Sequence, residues 1–106
     1  MSQPRKLASA LLLFTGVAHL LYVLVAGDAG GGAGSAIAGV IYFGSGLALR
    51  RPGAWPLWLG AVLPALGGLG GVQLLLARFD PVMLLFVGID VVVVACCIHG
   101  LVKRAA

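Results

Sequence analysis

The sequence predicts an all-α integral membrane protein, a bundle of four transmembrane helices with both termini in the cytoplasm (N-in/C-in), and three observations carry that expectation. The chain has 106 residues, of which 61% are hydrophobic and 9% charged, whereas a soluble domain carries about 25% charged residues. Its apolar residues gather into four runs, and one span needs about 20 of them to cross a hydrocarbon core of about 30 Å. Its basic residues stand mostly in pairs at the ends of those runs, where membrane topology signals sit. Residues 1–106 therefore read as a single four-helix transmembrane domain without an extramembrane domain.

The first span runs from about Leu7 to Ala26, interrupted only by Ser9, Thr15, Gly16, His19 and Tyr22. It follows Arg5 and Lys6 as a signal peptide would, but it is longer than the about 7 to 15 residues of a cleavable core, so it reads as a retained span. Gly27-Asp28 and the glycine-rich stretch from Ala29 to Gly34 form the first turn. The second span, about Ser35 to Leu49, is short: its rise is only about 23 Å at 1.5 Å per residue, so an earlier start within the glycines or local thinning is expected. Arg50-Arg51-Pro52-Gly53 ends it, because the residue before a proline is disfavoured in a helix. The third span, about Trp55 to Ala77, opens on Trp55 and Trp58, whose indoles suit the interfacial belt. Arg78-Phe79-Asp80-Pro81 closes it, with Pro81 placed as the first residue of the fourth span, about Pro81 to Val102. The valines from Val91 to Val94 would favour a strand in water, but in lipid a span must satisfy its own backbone, which makes it a helix.

The formal charge of +4 does not indicate a nucleic-acid partner, since that requires basic residues gathered on one solvated face. Arg5 with Lys6, Arg50 with Arg51, and Lys103 with Arg104 fall on one side of the predicted topology, and Arg78 alone falls on the other. That asymmetry places both termini inside and argues against dual topology. The implied location is the cell (inner) membrane, crossed several times, with the lipid bilayer as the first partner.

Asp90 is the one acidic residue inside a span, and a carboxylate there costs about 2.5–3.5 kcal/mol on insertion scales. It is expected either to be protonated or to face the bundle interior and find a donor. Counting about 1.5 Å per residue from the outer ends of their spans, Asp90, His19 and Tyr42 share a layer roughly 10–14 Å deep, with Gln73 about one turn nearer the outer surface. Thr15, His19 and Tyr22 form one polar stripe on span one, and Ser35, Ala38, Tyr42 and Ser45 form another on span two. The candidate intramembrane polar site is thus Asp90, His19, Tyr42, Thr15 and Gln73. An interhelical hydrogen-bond network and a proton or ligand site both fit it.

No metal site is expected: Asp90 and His99 lie about 180° apart around one helix, and the adjacent Cys96 and Cys97 splay apart and suit the role of small apolar residues. Span three carries Gly60, Pro64, Gly67 and Gly71 on one stripe with Gly68 beside them, and span two carries Gly39 and Gly46 on one face. These surfaces, almost free of side chains, predict that spans two and three pack closely through glycine. Pro64 leaves the Gly60 carbonyl without its helical donor and is expected to kink span three.

No nucleotide-binding loop, zinc-hydrolase motif, c-type haem motif or hydrolase elbow occurs, and no nucleophile and base stand at a recognisable spacing, so no enzyme is expected. In length and span count the chain is similar to the small multidrug resistance transporters. Those carry a Glu in their first span; here His19 stands at a broadly comparable place with no acidic residue in the span, and the chain is not assigned to them. Three readings follow. The leading one is a non-enzymatic bundle or accessory subunit of a membrane complex; the next is a small proton-linked transporter or channel using Asp90; the third is a binder of a lipophilic cofactor, haem or quinone, with His19 as ligand. No cofactor is required by the sequence, and a homo-oligomer or a larger membrane complex is the expected assembly.

Overall fold

The computed structural model describes residues 2–105, among which every regular element is helical and no strand occurs. Helix α1 spans Gln3–Ala26, α2 Gly32–Ala48, α3 Trp55–Ala77 and α4 Pro81–Ala105, with a 3₁₀ turn at Gly27–Gly30 between the first two. Helices α1, α3 and α4 are long and apolar enough to cross a membrane. Helix α2 begins inside the glycine stretch, as its length requires, and its 17 residues rise about 25 Å.

Local chemistry sets the helix ends. The Ser2 side chain accepts from the backbone N–H of Arg5 at 3.3 Å, so α1 starts well before the apolar run and carries Arg5 on its first turn. Asp80 caps α4: its Oδ1 accepts from Val82 N–H at 2.9 Å, and Pro81 follows it as the first helical residue. Gly31, with φ 98°, sits between the 3₁₀ turn and α2 in a conformation that an L side chain resists.

The helices form two tight hairpins. Contact is most extensive between α1 and α2, then between α3 and α4; α1 docks on α4, while α2 and α3 touch little. This corrects the expectation that spans two and three pack closely through glycine. Gly39 and Gly46 face α1 instead, where Gly16 completes the interface: a Cβ on Gly39 would lie 2.8 Å from the Gly16 carbonyl oxygen, and one on Gly46 would lie 3.0 Å from that of Ser9. The stripe on α3 turns mainly to α4, with Gly60 against Cys97, Gly71 against Val87 and Gly68 beside Asp90. Only Gly67 looks toward α2, and it does so to make room for the Tyr42 hydroxyl. The small faces of α2 and α3 are thereby occupied within the hairpins α1–α2 and α3–α4 rather than turned to each other. Helix α3 runs through Pro64 as one helix, with Pro64 buried.

Polarity is distributed inside out. Ser9, Thr15, His19, Ser35, Ser45 and Asp90 are buried, whereas Phe14, Leu24, Val25, Leu66, Leu76 and Val91 are exposed. The apolar core lies toward the end holding the N-terminus of α1, where Ala8, Leu12, Leu49, Leu57, Val93 and Cys97 pack together. Arg5 ties that end shut by donating from Nε to the Leu49 carbonyl at 2.8 Å, from Nη1 to that of Gly53 at 3.0 Å, and from Nη2 to that of Arg51. Read from the sequence only as a topology signal, this arginine also satisfies the carbonyls at the end of α2 and in the loop beyond it. The Ser9 hydroxyl adds a bond across the hairpin, to the Gly46 carbonyl at 2.8 Å.

Gly16→Ala therefore lowers the unfolding midpoint of the detergent-solubilised protein, since its Cβ would lie 2.7 Å from two backbone atoms, Gly39 O and Phe43 N; the expected loss is about 1–3 kcal/mol. Gly44→Ala, which adds a Cβ to open space, is expected to leave the midpoint unchanged or raise it, because alanine favours a helix over glycine by about 1 kcal/mol.

Candidate functional site

Where α2 and α3 stay apart, a cavity of about 240 Å³ opens among all four helices. His19 of α1, Ser35 and Tyr42 of α2, glycines of α3, and Phe86 and Asp90 of α4 line it. Asp90, His19 and Tyr42, which depth counting puts in one layer, thus meet around one space. Its volume falls below the about 300–1,000 Å³ of sites that enclose drug-sized ligands, so it suits a small solute.

Asp90 is 4% exposed. Its Oδ2 accepts from the Tyr42 hydroxyl at 3.4 Å, a long bond, and its Oδ1 is buried without a partner. The second unpartnered buried oxygen among the described residues is Ser35 Oγ, on a side chain 9% exposed that lines the same cavity. Buried polar atoms ordinarily find partners, so two orphans on one cavity mark a place for a guest that offers donors.

His19, 6% exposed, is oriented by its own helix. Its Nδ1 lies 2.7 Å from the Thr15 carbonyl oxygen and 3.2 Å from Thr15 Oγ1; since a carbonyl only accepts, Nδ1 carries the proton. In the neutral ring Nε2 is then the acceptor. The imidazole stacks on Phe86 with centroids 3.9 Å apart and stands edge-on to Tyr42 at 5.2 Å. Thr15 accordingly acts through His19 and does not line the cavity itself. Gln73 does not join the site: it lies on the exposed side of α3, two residues past the buried Gly71, and so faces about 160° away from the inward stripe. Depth counting places a residue along a helix but not around it.

A second cavity, also about 240 Å³, adjoins the first and shares Gly31, Leu74 and Met83 with it. Asp28 and Asp80 line this vestibule together with Arg78. The chain contains three acidic side chains, and all three therefore border this pair of cavities. The apolar core and the Arg5 tie lie at the opposite end of the bundle.

The vestibule has a tie of its own that sequence reading missed. The Tyr22 hydroxyl donates to Asp80 Oδ2 at 2.6 Å, joining the end of α1 to the turn before α4. That bond holds the Asp80 carboxyl below its ordinary range, with the Val82 and Met83 backbone N–H groups and Arg78 acting in the same direction. The signals available in the sequence were the aspartate immediately before Pro81 and the tyrosine three residues beyond His19, on the same stripe. Ser35 was visible as part of the span-two stripe, but nothing in the sequence marked its oxygen as unpartnered. Cys97 is buried against Gly60, while Cys96 and His99 border a separate cavity at the other end.

Comparison of the chain with protein-family models, with curated proteins and with solved structures yields no match.

Tyr22→Phe is expected to lower the thermal midpoint at neutral pH by removing the tie to Asp80. Because the folded carboxyl titrates below the ordinary Asp value of about 3.9, the wild-type advantage is fully present above that value and disappears as pH falls through the lowered one. The gap between the midpoints of the two proteins, measured from pH 7 downward, should narrow as the carboxyl takes up its proton; a constant gap would assign the effect to packing.

Proposed function

We propose that the chain is a multi-pass protein of the cell membrane, N-in and C-in, that acts as a small proton-linked carrier with Asp90 as the exchanging group. The observation that carries this reading is the buried Asp90 Oδ1, which has no partner among the described residues and belongs to a side chain lining a cavity that adjoins the vestibule of Asp28 and Asp80. A carboxyl in such a place is stable in two ways, with a proton of its own or with a cation beside it. The two occupants exclude each other, and that exclusion is what couples the movement of a proton to the movement of a cationic solute.

The surrounding groups support the reading. Tyr42 offers a hydrogen bond to Oδ2, Ser35 Oγ can receive a donor from a guest, and the neutral His19 ring presents Nε2 as an acceptor. From α3, Gly68 stands at van der Waals distance from the Asp90 side chain and Gly67 under the Tyr42 hydroxyl, and among the described residues no Lys or Arg lines the cavity. Asp28 and Asp80 at the vestibule favour the approach of positive charge. The asymmetry of basic residues, with Arg78 alone at the vestibule end, supports the orientation in which the vestibule faces outward.

A second reading, an accessory subunit or a homo-oligomer, draws on a different observation. Gly44 and Gly88 have open space where a Cβ would stand, so a helix of another chain can approach closely there.

Reconstituted into liposomes holding a pH-sensitive dye, the wild-type protein is expected to exchange protons for a small alkylammonium such as tetramethylammonium. Asp90→Asn is expected to fold with an unchanged thermal midpoint and to reduce the flux to that of protein-free liposomes. Wild-type flux in that variant would overturn the carrier reading, and an inert wild-type protein would favour the accessory-subunit one.

A further inference from the structure

At the end opposite the vestibule lies the largest single-purpose charge cluster of the molecule, and nothing in the Asp90 site uses it. A cavity of about 480 Å³ opens there between the start of α1, the α2–α3 loop and the last turns of α4. Arg5, Arg50, Arg51, Lys103 and Arg104 all line it. No acidic side chain shares that end, because Asp28, Asp80 and Asp90 are all committed to the other pair of cavities.

Like charges converging without an acidic side chain beside them among the described residues repel one another. Arg5 shows how the cluster is held together: its three donated bonds go to loop carbonyls, which pins Arg50 and Arg51 beside the helix that bears Lys103 and Arg104. Those bonds leave its positive charge uncompensated. Among the described residues, Arg50, Arg51, Lys103 and Arg104 make no side-chain hydrogen bond, so their donors are available. One wall is apolar, built by Pro4, Pro52 and Leu57, with Leu57 packed against Gly100. Gly53, at φ 109°, turns the loop so that its carbonyl meets Arg5 and the floor stays low.

We infer that this basic cavity is a binding site for a phosphate group, most naturally the headgroup phosphate of an anionic phospholipid. Guanidinium forks and ammonium groups match the several oxygens of a phosphate. The cavity lies where α1 and α3 begin and α4 ends, at the level of the headgroups if the bundle spans the bilayer. The proline and leucine wall gives the glycerol and upper acyl chain an apolar surface to lie against. The inference depends on membrane insertion and is independent of what Asp90 carries.

The test is lipid retention by the full chain, purified in mild detergent and analysed by native mass spectrometry after addition of phosphatidylglycerol, phosphatidylcholine or inorganic phosphate. Retention of phosphatidylglycerol in preference to phosphatidylcholine is expected. Arg104→Gln is expected to weaken it severalfold, and the combined Arg50→Gln, Arg51→Gln, Lys103→Gln and Arg104→Gln variant by at least about tenfold. Lys6→Gln removes a charge at the same end but outside the cavity, so it is expected to leave retention unchanged. Equal losses from Lys6→Gln and Arg104→Gln would overturn the site in favour of general surface attraction. Competition of inorganic phosphate with the lipid would uphold the phosphate site and name a free phosphate as a second source. Equal retention of both lipids would overturn it. Thermal midpoints of the variants without lipid identify any that fails to fold, and the charge-keeping Arg50→Lys, Arg51→Lys, Arg104→Lys protein, expected to retain the lipid, then replaces it in the comparison.

Discussion

Two helices can bring their backbones together only where side chains are absent, and the placement of glycine in this chain decides which helices do so. Gly16, Gly39 and Gly46 let α1 and α2 close on each other; Gly60 and Gly71 do the same for α3 and α4. Once both hairpins have used their small faces, α1 and α4 form the remaining broad contact and the seam between α2 and α3 is left ajar. The cavity at Asp90 is the consequence of that seam. Tyr42 bridges it from α2, over Gly67, to the Asp90 carboxyl.

Polar groups follow the same geometry. A buried polar atom is out of reach of solvent, so each one on an inward face must be met from within the bundle. Most are: Ser9 reaches the Gly46 carbonyl, Ser45 returns to the Ile41 carbonyl, and His19 bonds to Thr15. The exceptions among the described residues, Ser35 Oγ and Asp90 Oδ1, belong to residues lining one cavity. Two ties of opposite character bracket this space. Arg5 seals one end through backbone carbonyls, and Tyr22 with Asp80 holds the rim of the other while leaving the vestibule open.

Charge is segregated along the long axis. The acidic side chains border the two cavities at and below the vestibule, and Arg5, Arg50, Arg51, Lys103 and Arg104 gather around the cavity at the far end. This arrangement gives the two ends of the molecule different chemistry, one acidic and the other basic.

The sequence by itself determined the helices, because apolar runs bounded by Gly27-Asp28, Pro52-Gly53 and Asp80-Pro81 allow little else when the backbone must bond to itself. It also determined the depth of Asp90, His19 and Tyr42, since rise per residue is nearly constant along a helix. Rotation and pairing were decided only by tertiary structure. Gln73 stands near the right depth on the wrong side of α3, and Gly39 and Gly46 serve α1 although their spacing equally suits the α3 stripe. Small faces carry no label for their partner; competition among all four helices chooses it. The unpartnered oxygens of Ser35 and Asp90, the reach of Arg5 to three carbonyls, and the bond from Tyr22 to Asp80 all depend on that choice, because each joins or fails to join residues that only the packed bundle brings within reach.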